Sequence, residues 1–544
     1  MRSRKPLVLR ARLEALASLA PPLDAVAGSK EEREYLGRAA AELEKAGLEV
    51  EEFTFECMTW REKYAEVTAG SSRLRAVALP YSPPGDIEAE VVHVGEAALP
   101  QEWEKFDLHG KIALVKFYRK LDEASWQYLE AVWRGAEAVI FYDRFPSRRR
   151  RMVITYARDY RFTAGAPPPV PAVAVSFEDG VRLLRTAREG GKVRVLVEAE
   201  VEHSSSSTVV YAGNLSGPVL SAHADKWLTG FTDDVLGVSL LLLLASELRD
   251  SAGYIIFGAE ESGAPGYSPW YWLWGSRSFA EYLERRGLLE EFGVLLNLDV
   301  LGGAEPRLSA SGPDLMEGLA GTLGGVEIGP DQVIFDSFSF TMKGVPAATF
   351  HTFPELWGVY HTDVDTPSHV NWEGVGRAYE SVLRAARAFL KERWGIMKYS
   401  ALVDSVLSKL RLVEFLPEAR LALERLARLR VSDEHTARAL RRALTRPVFR
   451  GHYETELVES EVVYPYLLDV IDDYLSLRDA LSTGNLHAAL RGLRRVPGTE
   501  EMLPSVEPPA RVTPGYLREY YRALELAVRE SLKALSESIA ALKA

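Results

Sequence analysis

Four short apolar runs in the middle of the chain, at residues 219–222, 254–258, 294–298 and 347–350, set the tightest limit on how it can fold. Each is hydrophobic almost throughout rather than alternating, the pattern of a strand buried on both faces. Stretches with helical periodicity at 238–248 and 278–286 lie between them. Parallel neighbours need a crossover connection, and a helix is the usual one, so the alternation predicts a mostly parallel sheet flanked by helices. The flanks read differently. Residues 31–46 read as an amphipathic helix with Tyr35, Leu36, Ala39, Leu43 and Ala46 on one face, ended by Gly47. Strand-like runs at 76–79, 90–94, 112–115, 138–142 and 172–175, with a helix-like stretch at 126–134, suggest a small α/β module of its own. Pro83-Pro84-Gly85, Pro167-Pro168-Pro169 and the serines 204–207 punctuate it. After about 394 the strands stop, and 400–430 (with a break at Pro417), 433–445, 464–480 and 516–544 look helical. The expected divisions are an N-terminal helical part at 1–55, an insert at 56–205, an α/β domain at 206–395 and a helical domain at 396–544.

At 544 residues the chain is too long for one core. Lys and Arg number 65 against 77 Asp and Glu, a net charge of −12 that argues against a nucleic-acid partner or an anionic membrane surface. The single cysteine, Cys57, excludes an internal disulfide and any cysteine-built zinc site, and reads as a buried filler. The longest apolar run, 240–245, is far short of the roughly 20 residues that span a bilayer. Arg10, Arg12 and Glu14 interrupt what would be the apolar stretch of a signal peptide, so a soluble, cytoplasmic protein is expected. Asn occurs only at 214, 297, 371 and 485 and Gln only at 101, 127 and 332, a scarcity that together with many charges suggests thermostability.

Chemistry-bearing residues follow each apolar run. The first leads into His223-Ala224-Asp225, then Gly230-Phe231-Thr232-Asp233-Asp234 and Gly237; the second into Glu260-Glu261; the third into Asp299; the fourth into Tyr360-His361-Thr362-Asp363-Val364-Asp365-Thr366. The carboxyl ends of parallel strands share one edge of the sheet, so these groups should converge there. Lys226 is the only basic side chain inside these motifs, and so many carboxylates in one crevice would repel one another without a multivalent cation. Imidazole and carboxylate without thiolate suit zinc or another first-row divalent ion. Six candidate groups exceed the three protein ligands of a single catalytic zinc, which points to two ions bridged by a carboxylate, with Asp233 or Asp234 as the bridge. Of the adjacent Glu260 and Glu261, one can bind metal while the other handles a proton.

The ordered set HxD, GxxDD followed by Gly, EE, NLD and YHTxxDT resembles the co-catalytic zinc aminopeptidases, among them bacterial leucyl aminopeptidases and glutamate carboxypeptidase, over roughly residues 209–390. The resemblance implies two zinc ions, one held by His223 and Asp299, the other by Glu261 and His361, with Asp233 bridging. It further implies Glu260 as general acid/base, Asp225 orienting His223, Tyr360 donating to the oxyanion, and a peptide substrate cut at its N-terminus. Gly110 to Val115, Gly135 to Ile140 and Pro171-Ala172-Val173 look like a protease-associated domain insert, and the helical tail is similar in architecture to the dimerisation domain of glutamate carboxypeptidase, implying a homodimer. Val235 and Leu236 before Gly237, and the Pro- and aromatic-rich segment 265–274 before Gly275-Ser276, depart from the family pattern beside the metal centre. Three other readings share some of these motifs: a glutamate-carboxypeptidase-like carboxypeptidase, a single-zinc glutaminyl cyclase and a non-catalytic, transferrin-receptor-like binding protein.

Taken singly, each residue has a simpler explanation. Asp233 and Asp234 could cap a helix, Glu260-Glu261 could be solvated surface, Asp299 a turn residue, His361 a hydrogen-bonded core histidine. Their joint order at successive strand ends favours the metal site. His351 and His369 read as structural, Arg277 and Arg307 as ordinary arginines, and the aromatic run Trp270, Tyr271, Trp272, Trp274 as either a substrate wall or packing between domains.

Overall fold

In the computed structural model, which describes residues 5–97, 100–117, 124–156, 165–268, 271–392, 395–445, 448–449, 463–464, 466–484 and 514–542, the four apolar runs become the strands Pro218–His223, Gly253–Phe257, Val294–Leu298 and Ala347–His351, every residue of them buried. They pair in parallel, and Pro218–His223 lies between Gly253–Phe257 on one side and Val294–Leu298 on the other. The chain therefore reverses its direction of travel across the sheet at Pro218–His223. At such a switch point the loops leaving adjacent strand ends diverge to opposite faces and open a crevice. The helix Leu236–Leu248 is apolar nearly all round because it is sandwiched between the sheet and the N-terminal helices Lys5–Ala17 and Lys30–Lys45. Two strands at this side of the sheet, only the outer of them an edge strand, were not legible in the sequence. Arg307–Ala310 runs antiparallel to Ala347–His351, and Glu327–Pro330 pairs parallel outside it. Each is four residues long, and Glu327–Pro330 contains Gly and Pro, which only an edge position tolerates.

The strands of the insert are continuous with the rest of the sheet. Two long strands, Val50–Ala69 and Lys192–Gly213, pair antiparallel from Val50↔Ala212 to Ala69↔Val193. At one end Lys192–Gly213 borders Gly253–Phe257; at the other it borders Gly85–Gly95. From there Lys111–Lys116, Ala136–Tyr142 and Ala172–Val175 add in parallel and Val77–Ala78 closes the edge, so one ladder runs through both layers. The serines 204–207, expected as punctuation, lie inside the long strand. They are polar because two of them have buried partners: Ser205 Oγ donates to the Gly28 carbonyl at 2.9 Å and Ser207 Oγ to Glu32 Oε1 at 2.9 Å.

The C-terminal helices Tyr399–Leu412, Pro417–Leu426, Glu434–Leu444, Val470–Thr483 and Pro514–Ala541 surround an apolar cluster that includes Leu410, Leu440, Tyr474, Leu477, Val528 and Leu532. The break at Pro417 falls where its ring is harmless, at the first position of a new helix. The stretch expected from 464 becomes helical only at Val470. Among the described residues no helix is long and apolar enough to cross a membrane.

Buried polar contacts tie this helical cluster to the α/β layer. Arg438 donates to the carbonyls of Leu289 and Phe292, and Arg441 pairs with Asp314, both side chains 3% exposed or less. Removing the acid strands a buried guanidinium. Asp314→Ala should therefore lower unfolding stability by about 3–5 kcal/mol in a denaturant titration, whereas a change within ~0.5 kcal/mol, as for an ordinary surface site, would show that the pair does not fasten the two parts together.

Candidate metal centre

Strand ends and the turns after them deliver the site. His223 is the last residue of Pro218–His223, Asp299 follows Val294–Leu298, and Glu260 and Glu261 follow Gly253–Phe257. Asp233 and Asp234 precede the helix Leu236–Leu248. His361 lies in the turn beyond Ala347–His351. His223 Nε2 is 3.2 Å from Asp233 Oδ1 and 3.5 Å from Asp299 Oδ1. His361 Nε2 is 3.1 Å from Asp233 Oδ2 and 3.0 Å from Glu261 Oε2. Asp233 thus belongs to two triads and turns one oxygen to each. Within each triad the ligand atoms lie within 4.8 Å of one another, and none of the five residues is more than 7% exposed.

Neighbouring groups fix these positions through the backbone. Asp234 joins neither triad. Its carboxylate accepts from the N–H groups of His223 (3.3 Å) and Gly237 (3.2 Å), tying the strand end to the start of the helix. A Cβ on Gly237 would lie 2.1 Å from Asp234 Oδ1, which is why the motif needs glycine three residues after the second aspartate. Gly275 is required in the same way, since its Cβ would come 1.9 Å from the Gly258 carbonyl. Asp365, the last acid of the fourth motif, takes the Thr232 N–H on both oxygens, at 2.9 and 3.1 Å, next to Asp233.

Asp225 works differently from the sequence expectation. His223 Nδ1 bonds the backbone carbonyl of Asp225 at 3.0 Å, while the Asp225 carboxylate is 3.7 Å away and accepts the N–H groups of Glu260 and Glu261, each at 2.9 Å. A short side chain just past a strand end reaches the turn of the adjacent strand more easily than it folds back on its own neighbour. Glu32 continues the pattern. Buried under the same turn, it accepts from Ala259 N–H (2.9 Å), Gly28 N–H (2.7 Å) and Ser207, so three successive amides, 259 to 261, are held by two carboxylates. Sequence reading missed Glu32. Its signal was the Ser29-x-x-Glu32 pattern at a helix start, where a glutamate turns back to the backbone rather than out to solvent.

The electrostatics reflect crowding of like charge in a dry crevice. Burial alone would lower His223 and His361, but the surrounding carboxylates pull both up, His361 to about 10. Burial raises Glu260 and Asp299, and pushes Glu261 to about 7. Against the same burial, the two imidazoles hold Asp233 well below the usual carboxylate range. The cluster therefore favours added positive charge, as protons or as cations. His223 Nε2, His361 Nε2, Asp233 Oδ2 and Glu261 Oε1 are buried without a hydrogen-bond partner. Polar atoms so placed are normally satisfied, and groups of one imidazole and two carboxylates are a donor set for zinc and related divalent ions. The residues fit a pair of such ions.

Other sequence candidates lie apart from this chemistry or beside it. Tyr360 stacks on the His361 ring, centroids 3.7 Å apart. His351 bonds Ser309 Oγ and is pushed down by burial to about 3, and His369 is exposed. Trp272 Nε1 donates to the Val333 carbonyl and Trp274 Nε1 to the Glu56 carbonyl, so both indoles serve as packing anchors. Pro269 and Trp270 lie outside the described residues. Arg277 is bonded to the Trp272 carbonyl, Arg307 pairs with Glu327, and Cys57 is buried.

Asp225→Asn keeps the size of the side chain but turns an amide NH₂ toward one of the two backbone N–H groups it now accepts. Unfolding stability should fall by roughly 1–3 kcal/mol, measured by denaturant titration; unchanged stability would mean that the carboxylate does not hold the Glu260-Glu261 turn.

Residues 213–386 match the sequence profile of Peptidase family M28. A probable leucine aminopeptidase 2 of Aspergillus oryzae is 22% identical over 302 residues, which are 53% of this chain and 57% of that protein, so the chain spans little more than half of that relative's length. Among solved structures, a zinc aminopeptidase from Bacillus subtilis superposes with a TM-score of 0.53 at 20% identity, over 71% of this chain and 97% of the other. A Peptidase M28 precursor from Shewanella amazonensis does so with a TM-score of 0.56 at 20% identity, over 71% and 94%. These similarities are of fold. Residues 213–386, which enclose both triads, are thus similar to Peptidase family M28 in sequence profile and to these enzymes in fold.

Proposed function

We propose that the protein is a dinuclear zinc exopeptidase that removes residues from the N-termini of peptides. The observation that carries this reading is the division of Asp233 between two triads, with Glu260 adjacent in sequence to one of their members and belonging to neither. In this reading His223, Asp233 and Asp299 hold one ion, and Asp233, Glu261 and His361 the other. Such a pair supplies Lewis acidity at a peptide carbonyl and makes water a stronger acid at neutral pH.

The chain's own groups then divide the remaining tasks. Glu260 accepts a proton from the attacking water and returns it to the leaving amine, so the proton count balances over the cycle. The Tyr360 hydroxyl donates to the oxygen that gains charge as the carbonyl is attacked. Asp225 and Glu32 keep the backbone beneath Glu260 in place. Acidic groups beside the metals bind the free α-ammonium of the substrate, which confines cleavage to the first peptide bond. The inserted α/β layer is read as a protease-associated domain on its segments 110–115, 135–140 and 171–173, and the helical domain as a dimerisation element on its architecture.

Aminoacyl substrates with free and acetylated N-termini, offered to the wild type and to Glu260→Gln, test the reading. The free amine should be cleaved and the acetylated one spared, and Glu260→Gln should lose about 10²–10⁴-fold in kcat while retaining two equivalents of metal. Full activity in the variant would reject the role of Glu260, and cleavage of N-acetylated peptides only when the C-terminus is free would turn the assignment to a carboxypeptidase.

A further inference from the structure

Four consecutive arginines, Arg148, Arg149, Arg150 and Arg151, lie in the inserted layer just beyond the strand Ala136–Tyr142. None has a part in the chemistry above, yet all four close on the turn that carries Tyr360 and His361. Arg148 Nη1 donates to the Gly358 carbonyl. The backbone N–H and Nη1 of Arg149 both donate to the Asp363 carboxylate at 2.9 Å, and its carbonyl accepts the Asp363 N–H at 3.1 Å. Arg150 bridges Thr362 as an antiparallel backbone pair, and the Arg151 N–H donates to the His361 carbonyl at 2.9 Å.

Arg150 is the centre of this clamp. It is 0% exposed, and its three nitrogens have separate acceptors: Nε the Asp143 carboxylate at 2.7 Å, Nη2 the Trp357 carbonyl at 3.0 Å and Nη1 the Tyr360 carbonyl. Burying a guanidinium is costly unless its donors are met, and only the planar fork of arginine meets three acceptors at once. What the fork holds is unusual backbone. His361 sits at φ +56°, in the left-handed region where a residue with a Cβ is strained. On one side of it the Tyr360 carbonyl is held by Arg150, and its own carbonyl by the Arg151 N–H.

We infer that Arg150 is a positioning residue for the second metal triad: the inserted layer, through this guanidinium, keeps His361 in the conformation that faces Asp233 and Glu261. The inference rests on the dinuclear reading and deepens it, by making the insert part of the support for one ion and not the other.

The test uses the full chain, stripped of metal with a chelator and titrated with Co²⁺. Wild type is compared with Arg150→Lys, Arg150→Met and Arg149→Gln, and with His361→Ala as the reference for a lost ligand. Wild type should bind two equivalents. Both Arg150 variants should keep one tight equivalent and bind the second about 10–100-fold more weakly, and Arg150→Lys should rescue little because an ammonium cannot serve three acceptors in one plane. In the metal-free variants, amide exchange across 357–363 should quicken about tenfold or more while 218–223 is unchanged. Should both Arg150 variants fail to fold, Arg149→Gln, at a side chain 17% exposed, should still weaken the second equivalent alone. Wild-type affinity for both equivalents in a folded Arg150 variant, or in Arg149→Gln should that be the only folded variant, overturns the inference. Fewer than two equivalents in the wild type would instead remove the dinuclear reading, and exchange across 357–363 would then decide the clamp by itself.

Discussion

One carboxylate shared between two imidazoles organises the centre of this protein. Asp233 faces His223 with one oxygen and His361 with the other, and Asp299 and Glu261 complete a triad on either side. Groups of like charge packed this closely, away from water, would drive the strand ends apart unless cations or protons balanced them. The surrounding structure supplies the restraint that such a cluster requires. Asp234, Asp365, Asp225 and Glu32 are further buried acids, and each accepts at least one backbone N–H from a segment that carries the triads. The acidic excess visible in the motifs therefore has two purposes, one set of carboxylates facing the ions and another holding the first in place.

These two sets were not equally legible in the amino-acid sequence. Residues of the triads stand at the ends of apolar runs or in the turns that follow them, and a parallel sheet sends all such ends to one edge, so their convergence follows from periodicity and topology. The supporting set follows from neither. The family resemblance implies Asp225 as a partner of His223, whereas its carboxylate lies closer to the turn after the next strand in the sheet. Glu32 sits some 190 residues before the nearest metal-triad member in the chain, so its helix-start pattern with Ser29 signals a turned-back glutamate but not the distant turn that it holds. The same limit explains the serines 204–207. A polar run signals a loop when its partners are water, and these hydroxyls have buried partners contributed by the N-terminal segment.

The two long strands Val50–Ala69 and Lys192–Gly213 account for how the insert can matter to the centre. A module joined by flexible linkers would hold its position only weakly, but paired strands of 20 and 22 residues transmit position along a hydrogen-bonded ladder. They bring the far layer, with its arginine run, over the turn of His361. The helical C-terminal part is fastened to the α/β layer by the buried Arg441–Asp314 pair and by Tyr466, whose hydroxyl donates to the Asp331 carbonyl. The domain that carries the two triads is thus braced from two directions by segments outside the profile match.

The most direct measurement of the central claim is anomalous diffraction from crystals grown with zinc, collected on both sides of the zinc absorption edge. Two anomalous peaks about 3.5–4 Å apart, one near each imidazole with the Asp233 carboxylate between them, are the predicted result. A single peak, or two that do not share Asp233, would contradict it.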